Sequence, residues 1–506
     1  MLKKTIINAV TGIFLTFISA ISAIITTNII MTKLGSEING IHQTANQFVN
    51  MFSLIEGGFV LSAVVSLYEP MRLKNQERIN VIYSTVSSYL KRVAIVFAAL
   101  STIASLIYTL NIKSNVDKLT IFLVFLLSIS NSLCIIAVQL RNSVIFESTQ
   151  TEYKLKTLNS VCSIGVMISI YITSTFFNTN IIVIKSIILL GTMINVFLIS
   201  LKRRNAFPKI KKNDIIDKGV VKGSGDIFIQ KIAATVNQSL DMVVLTGMTL
   251  AVYSSIYAIY NMLFNFGRMV IDSVSLAPFN GLGQIYSKGS KDEIKKAYKL
   301  YEFDIIFISS VIITSVAIIA IPFISIYTRN VKDANYVDSK VALLFAVVIM
   351  LNCINKPSGA MINLSGNFKL QKITTTISTI INLVLSLILA PIYNIKGVLI
   401  ATLISYLVLV PANIYYNCTK VTETKIIDSI KVMSINFALF SILTVVGVNI
   451  NFNHGSYMKI FGLGCIIGMV VLIIFIIINT LLFSSMMKEN ANIIKKIFLK
   501  IQTKES

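Results

Sequence analysis

Long apolar stretches, separated by short polar segments, dominate the pattern of hydrophobic and polar positions along this chain. A helix that crosses the hydrocarbon core of a bilayer needs about 20 predominantly apolar residues. Stretches of that size predict an all-α polytopic membrane protein with about 14 transmembrane helices. The predicted spans are 9–32, 41–67, 93–111, 119–140, 157–177, 181–201, 226–248, 253–278, 303–327, 340–364, 373–391, 397–415, 433–449 and 459–483.

Two of these stretches are unusually polar. The 41–67 stretch contains Gln43, Asn46 and Glu56, and the 226–248 stretch contains Lys231 and Asp241. Each could instead be a soluble amphipathic helix. We interpret both as spans that face a watery cavity, because removing either one would disrupt the charge pattern described next.

The basic residues are distributed unevenly between the two predicted sides of the membrane. The chain has 45 Lys and Arg against 22 Asp and Glu, a net charge of +23. With the N-terminus inside, 33 of the basic residues fall in inner segments. Eight fall on the outer side, counting Lys340 and Lys459 at the outer ends of their spans, and the other four lie deeper within spans. This asymmetry is the positive-inside bias of cytoplasmic loops, and it predicts that both termini are cytoplasmic. It also explains most of the net charge without a nucleic-acid partner.

Composition excludes several other classes of protein. Of the 506 residues, 55% are hydrophobic and 13% are charged, and the mean hydropathy is +0.78. Soluble domains carry about 25% charged residues, and a disordered chain combines low hydrophobicity with high charge. The five cysteines form no Cys-x-x-Cys motif, and there are only two histidines. We therefore expect no metal site, no disulfide and no cofactor.

A basic segment divides the chain. Residues 202–222 contain the sequence KRRNAFPKIKKND, interrupted by Pro208. The predicted organisation is an N-terminal six-helix lobe (1–201), a cytoplasmic linker (202–222), a C-terminal six-helix lobe (223–417), and two extra helices with a basic tail (418–506). The linker is expected to lie against anionic lipid; a specific regulatory role is the alternative.

A weak internal repeat relates the two halves. A shift of 215 residues places Tyr153-Lys154-Leu155 on Phe368-Lys369-Leu370 and also places Arg141 on Lys356. A shift of 212 residues places Glu56 on Arg268. Equivalent spans share one orientation, so the pattern indicates a parallel repeat about an axis normal to the membrane.

Four segments resemble a known family. They are LGSEINGIHQTANQFVNMFSLIEGG (34–58), TVNQSLDMVVLTGMTLAVYSSIYAIYN (235–261), GNFKLQ (366–371) and YNIKGVLIATLISYL (393–407). They are similar to bacterial polysaccharide-transport proteins, the flippases for lipid-linked oligosaccharide repeat units. These belong to the superfamily of multidrug, oligosaccharidyl-lipid and polysaccharide exporters.

The resemblance implies a fold, a location and a substrate. It implies two six-helix lobes around a central cavity that opens alternately to each side of the bacterial cytoplasmic membrane. Cationic residues in that cavity would meet the diphosphate of a polyprenyl-linked oligosaccharide, and Arg268 matches such a position. Expected partners are this lipid-linked oligosaccharide, membrane lipids, and a polysaccharide polymerase with its assembly proteins.

Ionisable residues inside predicted spans are the candidate functional residues, because a charge in the bilayer core is costly without a partner or a cavity. The substrate-binding candidates are Arg268, Lys356, Arg141 and Lys231, and the coupling or counterion candidates are Asp241, Glu56 and Asp272. Structural alternatives remain open for each of them. Arg268 and Asp272 could form an i,i+4 ion pair, Lys356 and Arg141 could snorkel to headgroups, and Asp241 and Glu56 could be buried hydrogen-bonding groups. Lys185 is interpreted as snorkelling at the outer end of its span.

The predicted function is outward translocation of a polyprenyl-diphosphate-linked oligosaccharide for capsule or O-antigen synthesis. The alternatives are a multidrug or cation extruder of the same superfamily and a flippase for the lipid-linked peptidoglycan precursor. A membrane glycosyltransferase, ligase or polymerase is a third alternative. We expect no enzyme, because the outer loops are short and carry no paired carboxylates.

Overall fold

A computed structural model describes residues 18, 20–53, 59–149, 151–213, 215–217, 239–450 and 455–492. These residues form helices, no strand, and a single isolated bridge between Lys113 and Leu250. The helices are α1 (Ala20–Leu34), α2 (Ser36–Ser53), α3 (Phe59–Leu73), α4 (Gln76–Asn111), α5 (Lys118–Ser148), α6 (Tyr153–Phe176), α7 (Ile181–Ala206), α8 (Ser239–Met248), α9 (Ala251–Lys288), α10 (Lys291–Tyr327), α11 (Ser339–Leu364), α12 (Phe368–Val421), α13 (Ile426–Val448) and α14 (Tyr457–Leu482).

The helices follow the predicted apolar stretches without matching them one to one. Within the described ranges, nine helices are long and apolar enough to cross a membrane. Both α2 and α3 fall on the predicted 41–67 span, whereas α12 covers two predicted spans and kinks at Asn394, where φ is +51°. The predicted spans 9–32 and 226–248 begin outside the described residues. The all-α fold of a multi-pass membrane protein is confirmed, and the count of 14 spans stays a prediction.

Polar residues immediately before the apolar stretches set several helix starts. The side chains of Asn75, Asp117 and Asn180 each accept a hydrogen bond from a backbone N–H in the first turn of α4, α5 and α7. Asp338 does the same at α11, and Ser456 at α14. Such caps satisfy backbone donors that have no partner inside the helix.

The chain groups into two compact units by its internal contacts. The first unit comprises Met1–Ala258, Thr328–Asn335 and Thr375–Ala401. In it, α5 packs against α2, α4 and α7, and α6 packs against α7. Phe48 and Phe125 meet edge to face in its core, with ring centroids 5.4 Å apart.

The second unit comprises Ile259–Tyr327, Tyr336–Thr374 and Thr402–Ser506. In it, α10 packs against α11, α13 and α14. The two extra C-terminal helices are joined by a buried amide pair, in which Asn436 and Asn479 exchange hydrogen bonds of 3.2 and 3.1 Å. Hydrogen bonds between polar side chains are a recurrent means of holding helices together where water is excluded. The predicted division into residues 1–201, 202–222, 223–417 and 418–506 stays a prediction.

Among the described residues, contacts between connecting segments join segments that were predicted to lie on the same side of the membrane. In the first unit, Glu37 of the first outer segment accepts hydrogen bonds from Ser114 Oγ and Asn115 N, in the second outer segment, at 2.8 Å each. In the second unit, Lys291 and Glu423 of two inner segments form an ion pair of 2.7 Å. These contacts support the predicted order of crossings.

Candidate functional site

A polar cavity of about 500 Å³ lies inside the first unit, where α1, α2, α5, α6 and α7 meet. Among the described residues that line it, none is Asp, Glu, Lys or Arg. The lining is rich in amide and hydroxyl groups, with one imidazole. Its polar members are Ser22, Thr26, Thr27, His42, Gln43, Asn46, Asn131, Gln139, Asn159, Ser163, Thr192 and Asn195.

Several of these side chains form hydrogen bonds with one another, and some of their polar atoms have no hydrogen-bond partner. Asn195 Nδ2 donates to Asn159 Oδ1 at 2.7 Å, and an Asn46 Nδ2–His42 Nε2 hydrogen bond spans 3.2 Å. In the described structure, His42 Nδ1, Asn131 Oδ1 and Asn195 Oδ1 are buried and have no partner. A buried polar atom without a partner is unfavourable, so these atoms are suited to bind hydroxyl groups of a ligand or ordered water.

A buried lysine is hydrogen-bonded to one of these lining residues. Lys185 of α7 is only 3% exposed, and its Nζ donates to Asn46 Oδ1 at 2.9 Å and to Ser128 Oγ at 2.7 Å. The expectation that Lys185 snorkels outward is therefore wrong. The reason is local, since polar groups on α2 and α5 give the ammonium group hydrogen bonds that it would otherwise find at the membrane surface.

The second unit contains a cluster of three predicted site residues. Lys356 of α11 forms an ion pair with Asp272 of α9. Within the described chain, Arg268 has no carboxylate within 4.0 Å, and its Nε is buried without a partner. The i,i+4 pair considered for Arg268 and Asp272 is not formed, because Lys356 reaches Asp272 from another helix.

The remaining predicted site residues lie in different surroundings. Asp241 of α8 is 4% exposed and accepts hydrogen bonds from Tyr257 Oη at 3.0 Å and from Asn382 Nδ2 at 3.2 Å. These contacts fit the structural alternative of a buried hydrogen-bonding group. Arg141 lines a separate pocket near the linker, which is described below. Glu56 and Lys231 lie outside the described residues.

One buried acidic residue was not among the predicted site residues. Glu302 of α10 is 2% exposed and accepts hydrogen bonds from Tyr298 Oη and Ser429 Oγ, both at 2.7 Å. It lies one residue before the predicted span 303–327, so the sequence placed it in a solvated loop. Tyr298 lies one turn earlier on the same helix, whereas Ser429 is brought to Glu302 by the packing of α13, which no local pattern in the sequence indicates.

No protein-family model and no curated protein matches the chain. The solved structure of the lipid II flippase MurJ in an inward closed conformation superposes with a TM-score of 0.69 at 17% identity, covering 94% of this chain and 99% of that one. An inward-facing multidrug resistance transporter of the MATE family, in the MOP superfamily, gives a TM-score of 0.57 at 14% identity, covering 83% and 94%. A MOP superfamily transporter from Pyrococcus furiosus, described as having a binding pocket of reverse polarity, gives 0.55 at 11% identity, covering 87% and 96%.

The chain has the same fold as these solved transporter structures. The superposition spans nearly the full length of the flippase. Within this fold, the first unit carries the uncharged polar cavity, and the second unit carries the cluster of Arg268, Asp272 and Lys356.

Proposed function

We propose that this protein is a flippase that moves polyprenyl-diphosphate-linked oligosaccharide repeat units across the bacterial cytoplasmic membrane by alternating access. Both termini would be cytoplasmic, and the product would serve capsule or O-antigen synthesis. A polysaccharide polymerase and its assembly proteins would receive the translocated unit. The MOP transporter fold supports membrane transport, and the resemblance of segments such as 34–58 to polysaccharide-transport proteins supports the substrate class.

The observation that carries the proposal is the cavity of about 500 Å³ with an uncharged polar lining. Neutral sugars present many hydroxyl groups and no charge, so amide and hydroxyl side chains match them well. The buried and unpartnered Asn131 Oδ1 and Asn195 Oδ1 can accept hydrogen bonds from such hydroxyl groups. A multidrug extruder for cationic compounds would be expected to place carboxylates there, and the described lining has none.

The diphosphate needs a different environment from the sugar. It carries about two negative charges and must cross about 30 Å of hydrocarbon. Cationic side chains reduce the cost of removing it from water, and an arginine can bind two phosphate oxygens at once. Arg268 is suited to this role because its guanidinium group is not neutralised by a carboxylate in the described structure. Lys356 has a counterion in Asp272, and its substrate role therefore requires that pair to open.

The test is restoration of polymer export in bacteria that lack their own repeat-unit flippase. Wild-type protein should restore surface polysaccharide, and Asn131→Leu with Asn195→Leu should reduce it at least tenfold. The matched control is Asn449→Leu, because Asn449 is exposed at the end of α13 and far in sequence from the cavity. Export at the wild-type level by the cavity variant, present in normal amount, would contradict the proposal. Drug-accumulation measurements on the same cells test the multidrug alternative.

A flippase for the peptidoglycan precursor is the second candidate, favoured by the superposition on the lipid II flippase over 94% of this chain. That substrate would also be a lipid-linked diphosphate, so the two candidates differ in the sugar. Cells depleted of their own lipid II flippase distinguish them. Growth rescue there, without rescue of capsule or O-antigen export, would select the precursor; the reverse result would select the oligosaccharide.

A further inference from the structure

The first part of the predicted linker is hydrogen-bonded to helix α4. After α7, the chain folds back along α4 and makes three hydrogen bonds from its backbone to side chains of that helix. Lys211 N donates to Asn80 Oδ1 at 3.0 Å, and Asn213 N donates to Ser84 Oγ at 2.8 Å. Asp217 N donates to Thr85 Oγ1 at 3.0 Å. Gln76 Nε2 donates to Lys209 O at 2.9 Å, and Arg78 forms an ion pair of 2.6 Å with Asp217. These groups recur along one face of α4 at helical spacing, so residues 207–213 and 215–217 are fixed on that helix.

Between this segment and the ends of α5 and α7 lies a pocket of about 580 Å³. Five basic residues line it, together with the ring of a tyrosine. No acidic residue is among the described residues of its lining. The charged and aromatic members are Tyr83, Arg141, Arg203, Arg204, Lys211 and Lys212.

Packing and hydrogen bonds hold part of this basic pocket in place. The guanidinium group of Arg203 lies over the Tyr83 ring at 5.1 Å, and its Nη1 donates to Ile210 O at 3.1 Å. The Nε of Arg141 is buried and has no partner in the described structure. The pocket thus presents one arginine that is already positioned and one that has an unused buried donor.

The five basic side chains of the pocket are not neutralised by any carboxylate in the part of the chain that the structure describes. None of them forms an ion pair within 4.0 Å with any residue in the described ranges. The pKa of Lys212 is lowered, first by partial burial and then by the positive charges of Arg141 and Lys91. Like charges at this spacing repel each other, and a bound anion would relieve the repulsion.

We propose that this pocket binds a diphosphate group. Its volume and its five basic side chains exceed what a single carboxylate or chloride would use, whereas the many oxygens of a diphosphate can accept bonds from several arginine and lysine groups at once. Under the proposed function, on which this source of the ligand rests, the diphosphate is carried by the lipid-linked substrate and is captured here before it reaches the cavity. A soluble diphosphate in the cytoplasm would have the same chemistry.

Binding to the purified full-length protein in detergent tests the proposal directly, without transport. The probes are farnesyl diphosphate, inorganic pyrophosphate and the uncharged lipid farnesol, measured by calorimetry. Wild-type protein should bind farnesyl diphosphate and not farnesol. Arg141→Gln with Lys212→Gln should weaken diphosphate binding at least tenfold. The matched control, Arg72→Gln with Lys420→Gln, removes two exposed basic residues elsewhere and should leave binding unchanged.

The outcomes separate the possible sources of the ligand. Binding of farnesyl diphosphate alone supports a lipid-borne ligand, and binding of pyrophosphate as well supports a site open to either source. The proposal is overturned if neither diphosphate binds, or if the pocket variant binds as tightly as the control. If the double variant does not elute as folded protein, the exposed Arg204→Gln replaces it and should still weaken binding severalfold. If the protein fails to restore export but still binds a diphosphate, the proposed function is refuted and the proposal of a diphosphate-binding pocket stands.

Discussion

Lys356 on α11 forms an ion pair with Asp272 on α9, and this leaves Arg268, one helical turn from Asp272, without a carboxylate partner in the described structure. The two basic residues therefore have different roles available to them. Lys356 links two helices of the second unit, whereas Arg268 is the residue that we propose binds the diphosphate of the substrate.

Substitution of Arg268 should affect transport more than folding. We expect Arg268→Ala to reduce polymer export at least tenfold with a normal amount of folded protein. Arg268→Lys should restore export only in part, because an ammonium group lacks the planar pair of donors that binds two phosphate oxygens. Export is measured as surface polysaccharide, and the amount of protein by size-exclusion chromatography of a fluorescent fusion. Normal export by Arg268→Ala would exclude the substrate role.

The Lys356–Asp272 pair should affect folding instead. Asp272→Ala leaves an ammonium group without its counterion and should lower the amount of folded protein. Exchange of the two residues, Asp272→Lys with Lys356→Asp, should recover most of that loss. If the exchange variant is as poorly folded as Asp272→Ala, the ion pair contributes little to the structure.

The cap at the start of α2 comes from a residue nearly 300 positions away in the sequence. Asp333 accepts hydrogen bonds from Ser36 N at 2.6 Å and from Ser36 Oγ at 2.7 Å. Asp333→Ala should lower the free energy of unfolding by about 1 kcal/mol, the usual effect of losing a helix cap. The readout is the thermal midpoint in detergent, and the control is Lys332→Ala, at an exposed neighbouring position. Equal midpoints for the two variants would show that the cap is not stabilising.

Two glycines provide a matched test of close helix packing. A Cβ atom at Gly40 would overlap the backbone carbonyl of Ala251, whereas a Cβ atom at Gly165 would have no neighbour within 4 Å. Gly40→Ala should lower stability by about 1–3 kcal/mol, because the backbone of α9 must move. Gly165→Ala should be neutral or stabilising by up to about 1 kcal/mol, since alanine favours the helix. The thermal midpoints of the two variants are compared in detergent. An unchanged midpoint for Gly40→Ala would contradict the close packing of α2 on α9.

Membrane topology can be tested with an impermeant maleimide on intact cells, in a variant that lacks the five native cysteines. We expect Lys332→Cys to be labelled from outside, because it lies in a predicted outer loop. Asn213→Cys and a cysteine added at the C-terminus should react only after the cells are opened. Labelling of either one in intact cells would refute the cytoplasmic assignment.

The positions of the helices could be predicted from the sequence because each apolar stretch must satisfy its own backbone within the bilayer. The partners of the intramembrane charges could not be predicted in the same way. Lys185 has the sequence context of a snorkelling lysine, yet Asn46 and Ser128, on two other helices, hold it inside the first unit. Asp272 lies one helical turn from Arg268, yet it forms its ion pair with Lys356, 84 residues later in the sequence. These choices depend on how helices are packed, and helical spacing in the sequence carries no information about that.

The polar residues of the second predicted span indicated a surface that faces a watery cavity, and the cavity lining includes Gln43 and Asn46. The basic pocket was less predictable. Its charges were visible in the linker, but the fold-back of residues 207–213 and 215–217 onto α4 depends on side chains more than 120 residues earlier in the sequence.

Helix α5 contains a π-helical turn at Ile135–Gln139, between Asn131, which lines the cavity, and Arg141, which lines the basic pocket. A π-helical turn accommodates one more residue than an α-helical turn. Removing that residue would rotate everything beyond it by about 100° relative to the part before it. The direction of Arg141 relative to Asn131 therefore depends on a single extra residue. The length of this turn allows one helix to contribute side chains to both sites.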